Sequence, residues 1–399
     1  MSKKIPFAVA IALILIFSAL TVILTVSVYL RSYNKILISV YQRSQQFSAL
    51  SDIDEIIKDN YYGEVKYDSA MTGAASGYLS SLDGECAYLT AGEYAEFSAN
   101  NEGSFPGVGL TAEFDSENNA LIVTSVINGS PAYNSGIEIG DFITEIDSSE
   151  ISLSNQASFI ERLSGRDKTE IRLKIRKAPE ETETLIELTP VYRLSSVSYQ
   201  KSGSIGYIKL SAFYSDTSDL FKKAVNALMA DSITGLIIDV RNIKSFNYEY
   251  AADVIDVIVP LATEGNGAIA TALDYQGKSI AVYSADAASV NIPLSVLIND
   301  RSEGAAELLA ADLRDFSKAV LIGENTAGNA SYQKAFSLES GAVVVLTVAK
   351  ICPYISECFD GSGVSPDIEI PMSESAKDAL DSADISNDEL FKAGVSALS

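Results

Sequence analysis

The chain has 399 residues, a formal net charge of −24 and no histidine. That length holds two or three domains. The acidic balance excludes nucleic acid as a partner, because phosphate binding needs lysine and arginine clusters. The missing histidine excludes Ser-His-Asp and Cys-His chemistry and every histidine metal site. The three cysteines make no zinc pattern, and no metal or other cofactor is expected.

Residues 1–4 are a short basic start, and residues 5–30 are uncharged and mostly apolar, long enough to span a bilayer with some tilt. No small-residue cleavage site precedes Arg31, so residues 1–31 read as a retained transmembrane signal anchor. Lys3 and Lys4 favour a cytoplasmic N-terminus, although Arg31 and Lys35 weaken that bias. The body is then expected on the extracytoplasmic side of a cell membrane, held by one span. Residues 32–102 read as a helical segment, with DIDEIIKDNYYGEV, AMTGAASGYLSSL and AGEYAEFSA as its helices and a spacer as its simplest role.

Residues 103–193 carry Gly107-Val108-Gly109-Leu110, then LTAEFD and ALIVTSVI as strands. SPAYNSGIEIGDFITEID follows, then a helix over 155–163 and the alternating strands EIRLKIRK and ETLIELTPV. This run resembles a PDZ domain over some ninety residues, with Ser130, Pro131, Ala132, Gly136, Gly140 and Asp141 on the family's positions. Ser148 and Ser149 stand where that family has a turn glycine. The resemblance implies a groove beside LTAEFD. In it the backbone N–H groups of Gly107, Val108, Gly109 and Leu110 would hold a free peptide carboxylate. The same fold could serve only as a brace between domains.

Residues 194–372 read as an α/β core. SIGYIKLSAF and ITGLIIDVRN are strands, and DLFKKAVNALMA and YEYAADVIDVIVPLA are helices. AIATAL and SIAVYSA form a hairpin or a crossover pair. Around residues 292–333 the pattern is strand (IPLSVLIN), polar turn (299–302), helix (EGAAELLAADLRDF), strand (KAVLIG) and Gly-bearing loop (ENTAGNASYQ). A polar corner between a strand and a helix N-terminus suits a nucleophile, because unpaired N–H groups there stabilise negative charge. Residues 373–399 form a tail with two helical pieces.

This core resembles the C-terminal processing, or tail-specific, serine peptidases of the S41 type. Their strand-to-turn motif is of the form N-x-x-S-A-S-A-S-E, and their base loop of the form T-F-G-K-G-T-V-Q. Asn299, Glu307, Thr326, Gly328 and Gln333 match the frame. Further matches are Leu82, Asp83, Tyr88, Leu89, Glu93, Tyr94 and Phe97 ahead of the PDZ run, and the closing GVSPDIEI. The resemblance implies a PDZ domain inserted before a crotonase-like α/β core, and a Ser-Lys dyad, which needs no histidine.

The chemistry of that dyad is not kept. The nucleophile position is Gly304 and the base position Asn329. Glycine has no hydroxyl, and an amide takes no proton near neutral pH. The family's oxyanion donors fall on Ala305 and Phe246, the latter in place of a glycine pair. His of the family's Pro-His-Ser is Glu85 here. A relocated dyad would need Ser302 with Lys334. Against it, Ser302 reads as a helix N-cap, Lys334 as a solvated lysine, and Glu303 sets a negative charge where an oxyanion must form. Gln333 keeps its position as a hydrogen-bonder without a base to orient.

The expectation is a membrane-anchored pseudopeptidase that binds peptide or protein C-termini or modulates an active homologous peptidase, and that can form a homo-oligomer. The alternatives are an active serine endopeptidase with a displaced dyad and an architectural envelope protein. Cys352 and Cys358 can form a disulfide or remain two buried thiols, with Cys86 left over.

Overall fold

The structure is a computed structural model that describes residues 17–27, 29–30, 47–165, 170–177, 182–189, 191–259, 267–285, 290–317, 319–372 and 385–398. The chain divides into two compact units, Met1–Met71 and Thr72–Ser399. In the first, residues 17–27 are helical and exposed. Most of the apolar run of residues 5–30 lies outside the described residues, and among those described no helix is long and apolar enough to cross a membrane. α1 (Ser48–Asn60) has an apolar stripe but buries no residue. α2 (Tyr67–Ser80) runs from this unit into the next.

The segment of residues 32–102 holds a strand as well as helices among its described residues. β1 (Ala87–Leu89) pairs antiparallel with a core strand. α3 (Ala91–Asn101) opens on a capping box in which Thr90 and Glu93 satisfy each other's backbone N–H.

β2 (Ser104–Pro106) and β9 (Val191–Arg193) pair as a two-stranded stem. Between them lies the PDZ-like domain, with sheet order β3 (Leu110–Asp115), β4 (Ala120–Val126), β5 (Phe142–Ile146), β7 (Ile171–Lys177) and β8 (Thr182–Leu188). The short β6 (Ser149–Glu150) pairs with β5. The helices are α4 (Pro131–Asn134) and α5 (Gln156–Leu163). Val108, Leu121, Val123, Ile143, Leu173 and Ile175 centre its own core. Asp147 and Ser148 both take positive φ in the two-residue β5–β6 turn, the geometry that favours glycine. The turn survives the missing glycine at a conformational cost.

The core holds a six-stranded sheet in the order β10 (Val197–Ser202), β11 (Ile205–Leu210), β12 (Gly235–Asp239), β16 (Leu294–Ile298), β18 (Val320–Gly323) and β21 (Ile368–Glu369), parallel except for β10. Alternate residues of β12 face opposite ways. Leu236 and Ile238 join the cluster under α6 (Thr217–Ala230), α7 (Tyr248–Ile258) and α8 (Ala305–Ser317), while Ile237 joins Leu390 and Phe391 of α9 (Glu389–Ala397). Both faces are covered, which is why these strands read as unbroken apolar runs.

A second sheet is antiparallel. It is built on the long β20 (Val343–Pro353), flanked by β1, by β14 (Ala268–Leu273) and β15 (Ser279–Ser284) as a hairpin, and by β19 (Ser331–Ser337). The expected loop ENTAGNASYQ therefore ends at Ala330, and its last residues start a strand. The tail keeps one α-helix after a 3-10 turn at Ile385–Asn387, and the other piece falls in residues 373–384, outside the described residues. α9 is pinned through buried Arg241, which lies 2.6 Å from carboxylate oxygens of both Asp239 and Asp388. Cys352 is disulfide-bonded to Cys358, and Cys86 is free.

Candidate functional site

The turn after β16 is fixed by Asn299. Its amide accepts the Asn242 N–H at 3.0 Å and donates to the Asn242 side chain at 2.7 Å. Ser302 is fully buried. Its hydroxyl accepts the Asn299 N–H and donates to the Val240 carbonyl or the Asn299 side chain, each at 3.1 Å. It staples the turn and does not cap α8. The helix start is satisfied instead by Glu307, which accepts the Gly304 N–H at 2.9 Å. Lys334 lies exposed on β19 and shares no hydrogen bond with Ser302 among the described contacts. The two residues proposed as a displaced dyad are therefore not brought together.

Gly304 belongs to a second two-stranded element. β13 (Lys244–Ser245) runs parallel to β17 (Glu303–Gly304), reinforced by a 2.8 Å bond from the Glu303 N–H to the Ile243 carbonyl. Gly304 has φ +69, and a Cβ built there would lie 2.2 Å from the Ser245 carbonyl oxygen. It would also lie 3.0 Å from a ring carbon of Phe246. The strand bridge and the aromatic ring thus fill the space that a nucleophile's side chain needs. Phe246 stands where the resemblance puts an oxyanion N–H donor. It does not take positive φ (Asn242 does, at +63), and its ring covers the nucleophile position. Ala305 is the buried first residue of α8.

Glu307 is the centre of the intact frame. It is fully buried and accepts four bonds, from Gly304 N–H at 2.9 Å, Asn329 N–H at 2.9 Å, Gly328 N–H at 2.6 Å and the Thr326 hydroxyl at 2.5 Å. A buried carboxylate is tolerated when donors replace its hydration. Here the donors come from both the nucleophile corner and the base loop, so one side chain sets their separation.

The base position is also locked. The Asn329 amide donates to Glu303 at 2.7 Å and to Glu85 at 3.3 Å, and its oxygen accepts the Ser331 N–H at 3.1 Å. Lys244 lies 2.7 Å from Glu85 and 3.1 Å from Glu303. Burial works against the Lys244 charge, but the two carboxylates outweigh it and hold its pKa above the ordinary lysine value. Gln333 donates to the Glu85 carbonyl at 2.7 Å and so anchors the Glu85 turn. Glu85, Lys244 and Glu303 were not recognised as one cluster from sequence. The available signal was that positions 85 and 329 both depart from the family pattern toward groups that pair with one another.

A cavity of about 810 Å³ opens beside this cluster, within the range of ligand sites. Its lining includes Phe97, Phe105, Tyr214 and Phe246 and, from β19, Gln333, Lys334 and Ala335.

In the PDZ-like domain, β3 is an edge strand, and α5 lies against it. Of the four residues expected to hold a carboxylate, Val108 is a core residue, and its N–H is spent on the Leu163 carbonyl at 3.1 Å. Gly107, Gly109 and Leu110 are left to present donors. Gly109 is required sterically, since a Cβ there would lie 2.1 Å from the Ser130 Cβ.

A PDZ-like domain carried on a two-sheet α/β body, with a strand-to-helix corner facing a Gly-bearing loop, defines a PDZ-bearing relative of serine peptidases. Residues 204–370 match the model of peptidase family S41, and residues 122–177 match a PDZ domain model. The chain is 26% identical over 357 residues to a "Probable CtpA-like serine protease" of Staphylococcus aureus (strain MRSA252), covering 88% of this chain and 70% of the relative. It is 27% identical over 335 residues to the "Carboxy-terminal processing protease CtpA" of Bacillus subtilis (strain 168), covering 83% and 70%. Among solved structures it is similar to the photosystem II D1 C-terminal processing protease, with a TM-score of 0.48, 24% identity, and coverage of 80% of this chain and 86% of that one. These matches support a CtpA-type peptidase as what the chain is similar to, with Gly304 and Asn329 at the positions that the resemblance gives to the catalytic Ser and Lys.

Proposed function

We propose that this protein is a pseudopeptidase of the C-terminal processing family, anchored in the cell membrane by its N-terminal apolar run. Its body would face the extracytoplasmic side and bind peptide or protein C-termini, or modulate an active relative. The observation that carries the reading is the state of the nucleophile corner. Gly304 has no hydroxyl, its missing Cβ has no room, and the amide of Asn329 is held by two carboxylates. A Ser-Lys dyad acts as a unit, so loss of both members removes covalent catalysis. The edge strand β3 beside α5 supports peptide capture by strand addition, with Gly107, Gly109 and Leu110 at the carboxylate end.

The test is mass spectrometry of an unstructured peptide ending in small apolar residues. It is incubated for long periods with the full chain in detergent, beside a Ser302→Ala variant. No cleavage by either protein is expected, together with binding that is lost when the peptide carboxylate is amidated. Cleavage that disappears in Ser302→Ala would overturn the reading in favour of an active endopeptidase.

A further inference from the structure

We propose that the Cys352–Cys358 disulfide is a redox latch on the base loop of residues 325–330. This goes beyond the reading above and does not depend on it. The loop lies between two walls. One is β20, where the Ile351 N–H donates to the Ala330 carbonyl at 2.9 Å. The other is the segment of residues 359–364. There the Gly361 N–H donates to the Gly328 carbonyl at 2.8 Å and the Val364 N–H to the Thr326 hydroxyl at 2.7 Å. From the same segment Asp360 accepts the Ala330 N–H at 3.3 Å. Cys352 follows Ile351 directly and Cys358 precedes Phe359, so the bond between the two sulfurs joins both walls. The fit between them is close: a Cβ built at Gly328 would lie 2.8 Å from the Gly363 nitrogen. A small movement of one wall is therefore felt by the loop.

The bond acts locally. The cysteines stand six residues apart, so the closed loop is short and adds little chain-entropy stabilisation to the whole body. Tyr354 and Ile355 between them are 45% and 57% exposed, which leaves the turn open to a reductant. Ser356 ties the turn to α8 in either state, with its N–H and hydroxyl donating to Asp315 at 2.9 Å and 2.6 Å. The Cys358 sulfur lies 3.5 Å from the Ile351 carbonyl oxygen, an acceptor for its S–H once reduced. Both states thus have partners. In the opening step a dithiol reductant supplies two electrons and two protons. One thiolate attacks the disulfide, the second thiol resolves the mixed disulfide, and Cys352 and Cys358 are left as thiols. The wall of residues 359–364 is then free of β20, and the hold of the Asn329 amide on Glu303 and Glu85 loosens with the loop.

The test is amide hydrogen exchange of the full chain in detergent, on a Cys86→Ser protein so that the free thiol does not enter the count. Alkylation after dithiothreitol is expected to label Cys352 and Cys358 in the folded protein. Protection of residues 325–331 should then fall about tenfold, the mark of a local opening, and return on reoxidation. Protection of α9 and of the PDZ-like sheet should not change. Cys352→Ser with Cys358→Ser should show the lowered protection with or without dithiothreitol. Unchanged protection of the loop once both thiols are labelled overturns the proposal. So does a disulfide that resists excess dithiothreitol in the folded protein. Loss of protection throughout the body would make the bond a global staple and overturns the latch equally.

Discussion

Placing a serine at position 304 and a lysine at position 329 should not create a Ser-Lys active site. Consider Gly304→Ser combined with Asn329→Lys. At φ +69 a non-glycine residue costs about 1–2 kcal/mol. Its Cβ would start 2.2 Å from the Ser245 oxygen, so the β13–β17 bridge must open by a large part of an ångström. Overpacking of that kind costs about 1–3 kcal/mol. The sum, about 2–5 kcal/mol, should appear as a lower urea midpoint with an unchanged slope. The new lysine would enter a pocket that already holds Glu303 and Glu85, within 3.3 Å of the amide it replaces. It would remain a cation and so could not act as a base. Neither labelling by a serine-reactive phosphonate nor cleavage of a fluorogenic peptide is therefore expected. A double variant that keeps wild-type stability, or that is labelled at the new hydroxyl, would refute the claim that bridge and ring occupy the site.

Asp312 is fully buried, and neither carboxylate oxygen has a partner. Burial, with a smaller contribution from Asp315, pushes its pKa well above the usual carboxylate value of 3.8. A carboxyl with a raised folded pKa favours the native state at low pH and loses that advantage as pH rises from the unfolded value toward the folded one. Asp312→Asn should therefore gain stability over wild type as pH rises above about 4, by at most about 1.4 kcal/mol per pH unit. A constant difference across urea titrations from pH 4 to 7 would refute this. Arg241→Met should cost about 3–5 kcal/mol, because it leaves Asp239 and Asp388 buried without their cation. Hydrogen exchange should show α9 opening first, and equal protection of α9 in both proteins would count against Arg241 as its anchor. Glu307→Gln should destabilise by about 2–4 kcal/mol, since an amide turns one acceptor into a donor facing N–H groups. The exchange rates of the Gly328 and Asn329 amides would report it.

The fold was legible because its strands are buried on both faces. IPLSVLIN and ITGLIIDVRN could be little else, and β16 and β12 fall inside them. The PDZ-like domain was legible from glycines whose positions are sterically fixed, Gly109 among them. The start of β19 was read as loop, because Ser331 and Gln333 are polar and the apolar pattern of a half-exposed edge strand is weak. Partners far apart in sequence were also hidden. Glu85 meets Asn329 across 244 residues, and no local pattern announces that contact. Phe246 was read for its backbone, whereas the structure uses its ring.

The frame and the chemistry of this site are separable for a physical reason. Glu307 ties the nucleophile corner to the base loop through backbone N–H groups and one hydroxyl, none of which depends on the side chains at positions 304 and 329. The corner and the base loop are therefore held together whatever side chains stand at positions 304 and 329. Removal of a catalytic lysine would, however, leave carboxylates such as Glu303 and Glu85 facing one another. Like charges so placed repel, and Lys244 now lies between them with the Asn329 amide beside it. A site that had only decayed would carry unpaired polar groups at its centre, whereas this one has each charge partnered. The corner and the loop thus hold their shape without a serine at position 304 or a lysine at position 329.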